Sequence, residues 1–113
     1  MIIKNVKVFT EDKTFIDGQI AIQDGVFAAG WQETDEVIDG EGCYAIPGLI
    51  DIHFHGCKGY DFCDGTKEAI EEIARYEASI GVTAIAPATM TLTVEELERI
   101  LSVAASYNKE NRE

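Results

Sequence analysis

Two histidines, two prolines, one tryptophan and three cysteines are all that this chain holds of the residue types that usually announce a specialised site. No apolar run approaches the roughly 20 residues of a membrane-spanning helix, so a spanning segment is not expected. Cys43, Cys57 and Cys63 make no Cys-x-x-Cys pair, which argues against a disulfide scaffold and against a structural zinc knuckle. Cationic residues are scarce as well. Nine Lys and Arg face 21 Asp and Glu, a formal net charge of −12, so a nucleic-acid partner is not expected. The same imbalance gives little help in holding an anionic substrate. Low-complexity tracts and internal repeats are also missing, and the opening MIIKNVKVFT puts a lysine inside an alternating apolar run, which reads as a strand and not as a signal peptide. A cytoplasmic location is the resulting expectation.

What is present changes character at Pro47. Over 1–46, Val6 and Val8 flank Lys7 in period-2 alternation, and Ile16, Ile20, Ile22 and Val26 continue the pattern. Asp17-Gly18 and Asp24-Gly25 predict hairpin turns, because both residue types tolerate positive φ; Asp39-Gly40 is a third such step. The segment is expected to be antiparallel β structure with a scaffold role. From 47 to 113 the pattern becomes strand, helix, strand, helix. Leu49 to His55 reads as a strand. Thr66 is the expected N-cap of a helix with Ala69, Ile73, Tyr76 and Ile80 on one face, closed by Gly81. Val82 to Ala86 is the next strand, halted by Pro87. Thr93 and Glu96 predict a capping box, with Leu92 and Leu97 as a staple, for a helix burying Leu97, Ile100, Leu101 and Ala104. Glu68, Glu71, Glu72, Glu95, Glu96 and Glu98 in these two stretches read as solvated helix faces.

Two β-α units imply parallel strands with right-handed crossovers. The fold class is therefore α/β: a β-rich segment, then the first two βα units of an incomplete (β/α)8 barrel, which needs eight units and about 250 residues. Open strand edges and unpaired helix faces make the chain read as a fragment.

The chemistry-bearing run is Ile46-Pro47-Gly48-Leu49-Ile50-Asp51-Ile52-His53-Phe54-His55-Gly56. On a strand, Ile50, Ile52 and Phe54 share one face, expected against helices, while Asp51, His53 and His55 share the other. Two histidines two apart are either ordinary polar residues or ligands of one cation. The end of a barrel strand, where active sites lie, favours ligands. Neutral imidazole suits Zn²⁺ or Fe²⁺. Cys57 reads as a packing residue. Asp64, in Asp64-Gly65-Thr66, reads as a turn and capping residue despite the nearby Asp61.

Residues 37–56, VIDGEGCYAIPGLIDIHFHG, resemble the entry into the barrel of the amidohydrolase superfamily, and Asp24 to Gly30 resembles the hairpin of its β-sandwich. The loop from His55 to Asp61, with Asp64, is similar to the His-Gly-x-x-Gly-x-Asp loop of N-acetylglucosamine-6-phosphate deacetylases. Gly81-Val82-Thr83 and Pro87-Ala88-Thr89-Met90-Thr91 resemble that family's second strand and loop, except that Ala88 stands where Thr is usual. The resemblance implies a β-sandwich segment at 1–46 and a barrel domain from 47 onward. It also implies a divalent metal, Zn or Fe, on His53 and His55, with Asp51 outside the ligand set. The other ligands and an aspartate general base are implied to lie downstream, so no catalytic residue is assigned within this chain. An N-acetylated amino-sugar phosphate is the implied substrate. The implied assembly is a dimer whose subunits share the phosphate site. Alone, the chain is expected to be inactive. Alternatives are a dihydroorotase-, hydantoinase- or imidazolonepropionase-like enzyme, a non-catalytic self-associating module, or a simple metal binder.

Overall fold

Alternation at the N-terminus builds β1 (Ile2–Phe9), whose Ile2 and Val6 are the buried side chains among the described residues of the first unit. A computed structural model describes residues 1–30 and 36–111, grouped into two units, Met1–Pro47 and Gly48–Glu113. Residues 112 and 113 at the end of the expected barrel segment lie outside the described residues.

In the first unit β1 pairs antiparallel with β2 (Phe15–Gln23), Ile2 opposite Ala21 and Val8 opposite Ile16, and β2 pairs with β3 (Val26–Ala28). Asp24 at φ 51° and Gly25 at φ 76° make the tight turn expected between them. Asp17-Gly18 is not a turn. It lies inside β2 opposite Lys7 and Val6, beside a register shift in β1 where Asn5 takes φ 55°. A glycine within a strand commonly marks such a bulge. The chain reverses earlier, at Thr10 to Thr14, where Thr10 N donates to Thr14 O (2.9 Å) and the two hydroxyls lie 3.0 Å apart.

The sheet is also not wholly antiparallel, because β4 (Val37–Asp39) and β5 (Tyr44–Ala45) both run parallel to β1. Period-2 alternation reports a pleated strand and carries no information about its partner's direction. The turn after β4 centres on Glu41-Gly42, at φ 52° and 78°, two residues beyond Asp39-Gly40. Asp39 Oδ1 accepts from Glu41 N (2.8 Å) and Asn5 Nδ2 (3.0 Å), and these bonds hold its carboxyl below the usual carboxylate value.

In the second unit β6 (Leu49–Phe54) runs parallel to β9 (Val82–Pro87), with Leu49 opposite Val82 and Phe54 opposite Pro87. Between them come a hairpin, β7 (Gly56–Cys57) and β8 (Tyr60–Asp61), a 3-10 turn at Phe62–Asp64, and α1 (Lys67–Ser79). Helix α2 (Val94–Glu110) follows β9. Thr66 caps α1 by accepting from Ala69 N (3.2 Å). Thr93 and Glu96 close the expected capping box on α2.

The core of this unit is Phe62, Ile70 and Ile100, with Leu92, Val103, Ala104 and Tyr107 packed on it. On α2 the buried stripe is therefore 100, 103, 104 and 107, and Leu101, expected inside, is 55% exposed. It stands one residue, about 100° of helix rotation, off that stripe. Ile80 is exposed because it is the C-cap of α1, past the last full turn. Ile50 and Ile52 are 67% and 80% exposed instead of covered by helices. Among the described residues β6 pairs only with β9, and no helix is laid over that part of its face. No helix among the described residues is long and apolar enough to cross a membrane.

Glu96 accepts from Thr93 Oγ1 (2.7 Å) and Thr93 N (3.0 Å), bonds that lower its pKa from the usual 4.5. A depressed folded-state value means a contribution present above pH 4.5 and lost as the pH falls through the lowered value. Glu96→Ala is therefore expected to weaken α2 at pH 6, with the difference from the parent chain narrowing as the pH falls below 4.5, read from urea midpoints by circular dichroism. A difference that persists at low pH would remove the charge from the explanation.

Candidate metal centre

Strands β6 and β9 run in the same direction, so their C-terminal ends lie together and place the residues that follow them side by side. His53 is the fifth residue of β6 and is exposed; His55 follows its last residue and is half-buried. Their rings lie 5.2 Å apart between centroids at 87°. Two imidazoles that bind one tetrahedral ion through nitrogens about 2.0–2.1 Å from it have ring centres roughly 5 Å apart. The same separation also suits an edge-to-face contact between aromatic rings. Ring spacing alone therefore does not choose between the two.

Hydrogen bonding says more. His55 Nδ1 lies 2.9 Å from the carbonyl oxygen of Ala88, just past β9. A carbonyl only accepts, so in the neutral imidazole Nδ1 carries the proton and Nε2 keeps its lone pair for a ligand. Metal-binding histidines are oriented in this way. Two further bonds fix the ends of this segment, Ala88 N to Phe54 O and Phe62 N to His55 O, both 2.7 Å. Gly56 is required here, since a Cβ at this position would collide with the Tyr60 carbonyl oxygen.

The other residues singled out in the sequence take supporting places. Asp51 Oδ1 accepts from His53 N (3.0 Å) and so steadies the strand end. Asp61 and Asp64 form a reciprocal capping box on the 3-10 turn: Asp61 Oδ1 accepts from Cys63 N (2.7 Å), and Asp64 Oδ2 accepts from Asp61 N (2.9 Å). The capping role read for Asp64 thus extends to Asp61. Thr89 is half-buried and Thr91 exposed. Among the described residues, no three of His, Cys, Asp and Glu are grouped so that they could hold a metal ion. The chemistry of the donor set fits two imidazole ligands of a borderline cation and no more.

Pattern reading missed two contributors. The Ala88 carbonyl is a backbone group, invisible to residue type, and Cys63 donates no motif, yet its Sγ accepts from Met90 N (3.2 Å). Cys57 is half-buried, and burial foremost pushes its thiol up, reinforced by Glu77 and opposed by Lys58. Iodoacetamide at pH 8 is expected to label exposed Cys43 well before Cys57, read by peptide mass spectrometry. Faster labelling of Cys57 would mark it as a reactive thiol and not a packing residue.

No protein-family model matches the chain. Among curated relatives, it is 40% identical over 60 residues to the N-acetylglucosamine-6-phosphate deacetylase of Vibrio furnissii, which takes in 53% of this chain and 15% of that enzyme. It is 30% identical over 95 residues to the N-acetylgalactosamine-6-phosphate deacetylase of Escherichia coli O157:H7, covering 84% of this chain and 25% of the relative. An adenine deaminase of Clostridium perfringens is 48% identical over 62 residues, 49% of this chain and 11% of that protein. Two crystal structures of N-acetylglucosamine-6-phosphate deacetylases each match 98% of the chain. That from Pasteurella multocida has a TM-score of 0.89 at 20% identity over 31% of its own length. That from Thermotoga maritima has a TM-score of 0.80 at 27% identity over 29% of its length. The chain thus spans less than a third of the proteins it matches. Over that stretch, its resemblance to N-acetylglucosamine-6-phosphate deacetylases holds in sequence and in fold.

Proposed function

We propose that this chain is the part of a metal-dependent amidohydrolase that brings the first two metal ligands, in an enzyme that hydrolyses N-acetylglucosamine 6-phosphate to acetate and glucosamine 6-phosphate. One observation carries the reading. His55 is locked by the Ala88 carbonyl with Nε2 left open, beside His53, at the shared C-terminal end of two parallel strands. Active sites of parallel α/β barrels sit at that end.

In this reading residues 1–46 belong to a β-sandwich and 47–113 to the first two βα units of a barrel. His53 and His55 would hold the ion, Zn or Fe. The chemistry such an ion would supply is a bound water with its pKa lowered toward about 7 and a polarised amide carbonyl. This chain's residues would orient it: Asp51 steadies the backbone of His53, while Ala88 and Phe62 fix His55. The remaining ligands, the general base and the phosphate-binding groups would come from sequence beyond this stretch and from a neighbouring subunit of a cytoplasmic dimer. The acidity of the chain agrees with a phosphate site built elsewhere.

The identity to an adenine deaminase supports a second reading, in which the same strands serve a deaminase. A graft separates them. The chain replaces the matching segment of the Thermotoga maritima deacetylase and, separately, of the Clostridium perfringens adenine deaminase. Acetate release by the first graft, lost in His55→Ala, is the expected result. A folded first graft without acetate release, beside a second that frees ammonia from adenine, would overturn the deacetylase reading.

A further inference from the structure

We propose that Cys63 is a positioning residue for His55, holding the Ala88 carbonyl on Nδ1 and so selecting the tautomer that leaves Nε2 open. The inference deepens the metal-ligand reading of His55 and rests on it for its meaning, though not for its test.

The contacts form a closed circuit. His55 Nδ1 donates to Ala88 O (2.9 Å); two residues on, Met90 N donates to Cys63 Sγ (3.2 Å); next to Cys63, Phe62 N donates back to His55 O (2.7 Å). Ala88 is fixed on its other side by its own N–H to Phe54 O (2.7 Å). The segment carrying the carbonyl is therefore held at both ends, by the strand and by a sulfur.

Cys63 is itself well placed to act as an anchor. Its N–H donates to Asp61 Oδ1 (2.7 Å), and its side chain packs against the core of Phe62, Ile70 and Ile100. The turn it sits in is closed from the far side by Arg99, whose Nη1 donates to Gly65 O (3.0 Å) and Asp64 O (3.3 Å). Sulfur is a weak acceptor, so its worth lies in direction more than in strength. In water a neutral histidine side chain prefers its proton on Nε2, and a fixed acceptor at Nδ1 reverses that preference. A histidine so oriented is what a ligand position requires.

Two substitutions separate positioning from packing. Cys63→Ser keeps an acceptor and loses apolar contact; Cys63→Val keeps apolar contact and loses the acceptor. Nitrogen-15 spectra of the whole chain, taken with chelator above the range where imidazole is protonated, read the tautomer directly. Only two histidines contribute, and His53→Gln assigns them. The Nδ1–H form of His55 is expected to predominate in the parent chain and in Cys63→Ser. In Cys63→Val it is expected to fall several-fold, to the minor form. An unchanged tautomer ratio in Cys63→Val, or a parent chain with Nε2–H as the major form, overturns the proposal. Should Cys63→Val fail to fold, Cys63→Ala supplies the acceptor-free arm. Because the spectra are taken without metal, failure of zinc binding elsewhere would leave this result standing.

Discussion

Purified alone and supplied with Zn²⁺ or Fe²⁺, the chain is expected to release no acetate from N-acetylglucosamine 6-phosphate above the uncatalysed background. The inventory dictates this outcome. His53 and His55 are the only histidines, and among the described residues no third acidic or thiol ligand joins them. Loss of a general base alone typically costs about 10²–10⁴ in rate. Loss of most of the metal's ligands removes the activated water as well, since an incomplete site holds its ion poorly. Enzymes of ordinary efficiency turn over at about 10 s⁻¹. Activity within tenfold of that figure, in a coupled acetate assay, would mean that residues assigned here to capping and turns perform catalysis.

Ile100→Ala is expected to have the largest effect on stability. Ile100 is fully buried, at 0% exposure, against Phe62 and Ile70 in a small core. Cutting isoleucine to alanine in such a place costs about 2–5 kcal/mol through lost transfer energy and the cavity left behind. For a unit of this size each kcal/mol moves the melting temperature by about 4–8 °C. A fall of roughly 10 °C or more is the expectation, followed by the helical signal. Leu101→Ala is the control. Its side chain is 55% exposed, and surface changes of this kind usually stay within about 0.5 kcal/mol. Equal losses from the two variants would show that the stripe at 100, 103, 104 and 107 is not the packed face.

Some of these features were legible in local sequence signals. Thr66, Thr93 and Glu96 announced both helix starts, because capping depends on a side chain and a backbone N–H within three residues. Asp24-Gly25 marked its turn for a similarly local reason. Asp17-Gly18 carried the same letters and lay within a strand, since the partner strand's bulge, not the dipeptide, set the local geometry. The parallel pairing of β4 and β5 with β1 was beyond reach, as a strand's period is blind to its neighbour.

The site divides along the same line. Two histidines two apart near a strand end were visible as residue types. The orientation of His55 comes from a backbone carbonyl 33 residues away. Tertiary contacts of that kind are absent from any local pattern. The exposure of Ile50 and Ile52 has the same origin, because whether a strand face is covered depends on which other elements are packed against it.

If His53 and His55 together face one cation, zinc must reach both rings at once. Titrating the nitrogen-15-labelled chain with Zn²⁺ while following its two imidazoles tests this most directly. Weak binding that shifts both rings with one common midpoint, and that disappears in His53→Ala and in His55→Ala, is the predicted result. The competing sink for a cation is the chain's carboxylates, 21 Asp and Glu in all. Zinc that perturbs carboxylates while both imidazoles stay unmoved would contradict the account.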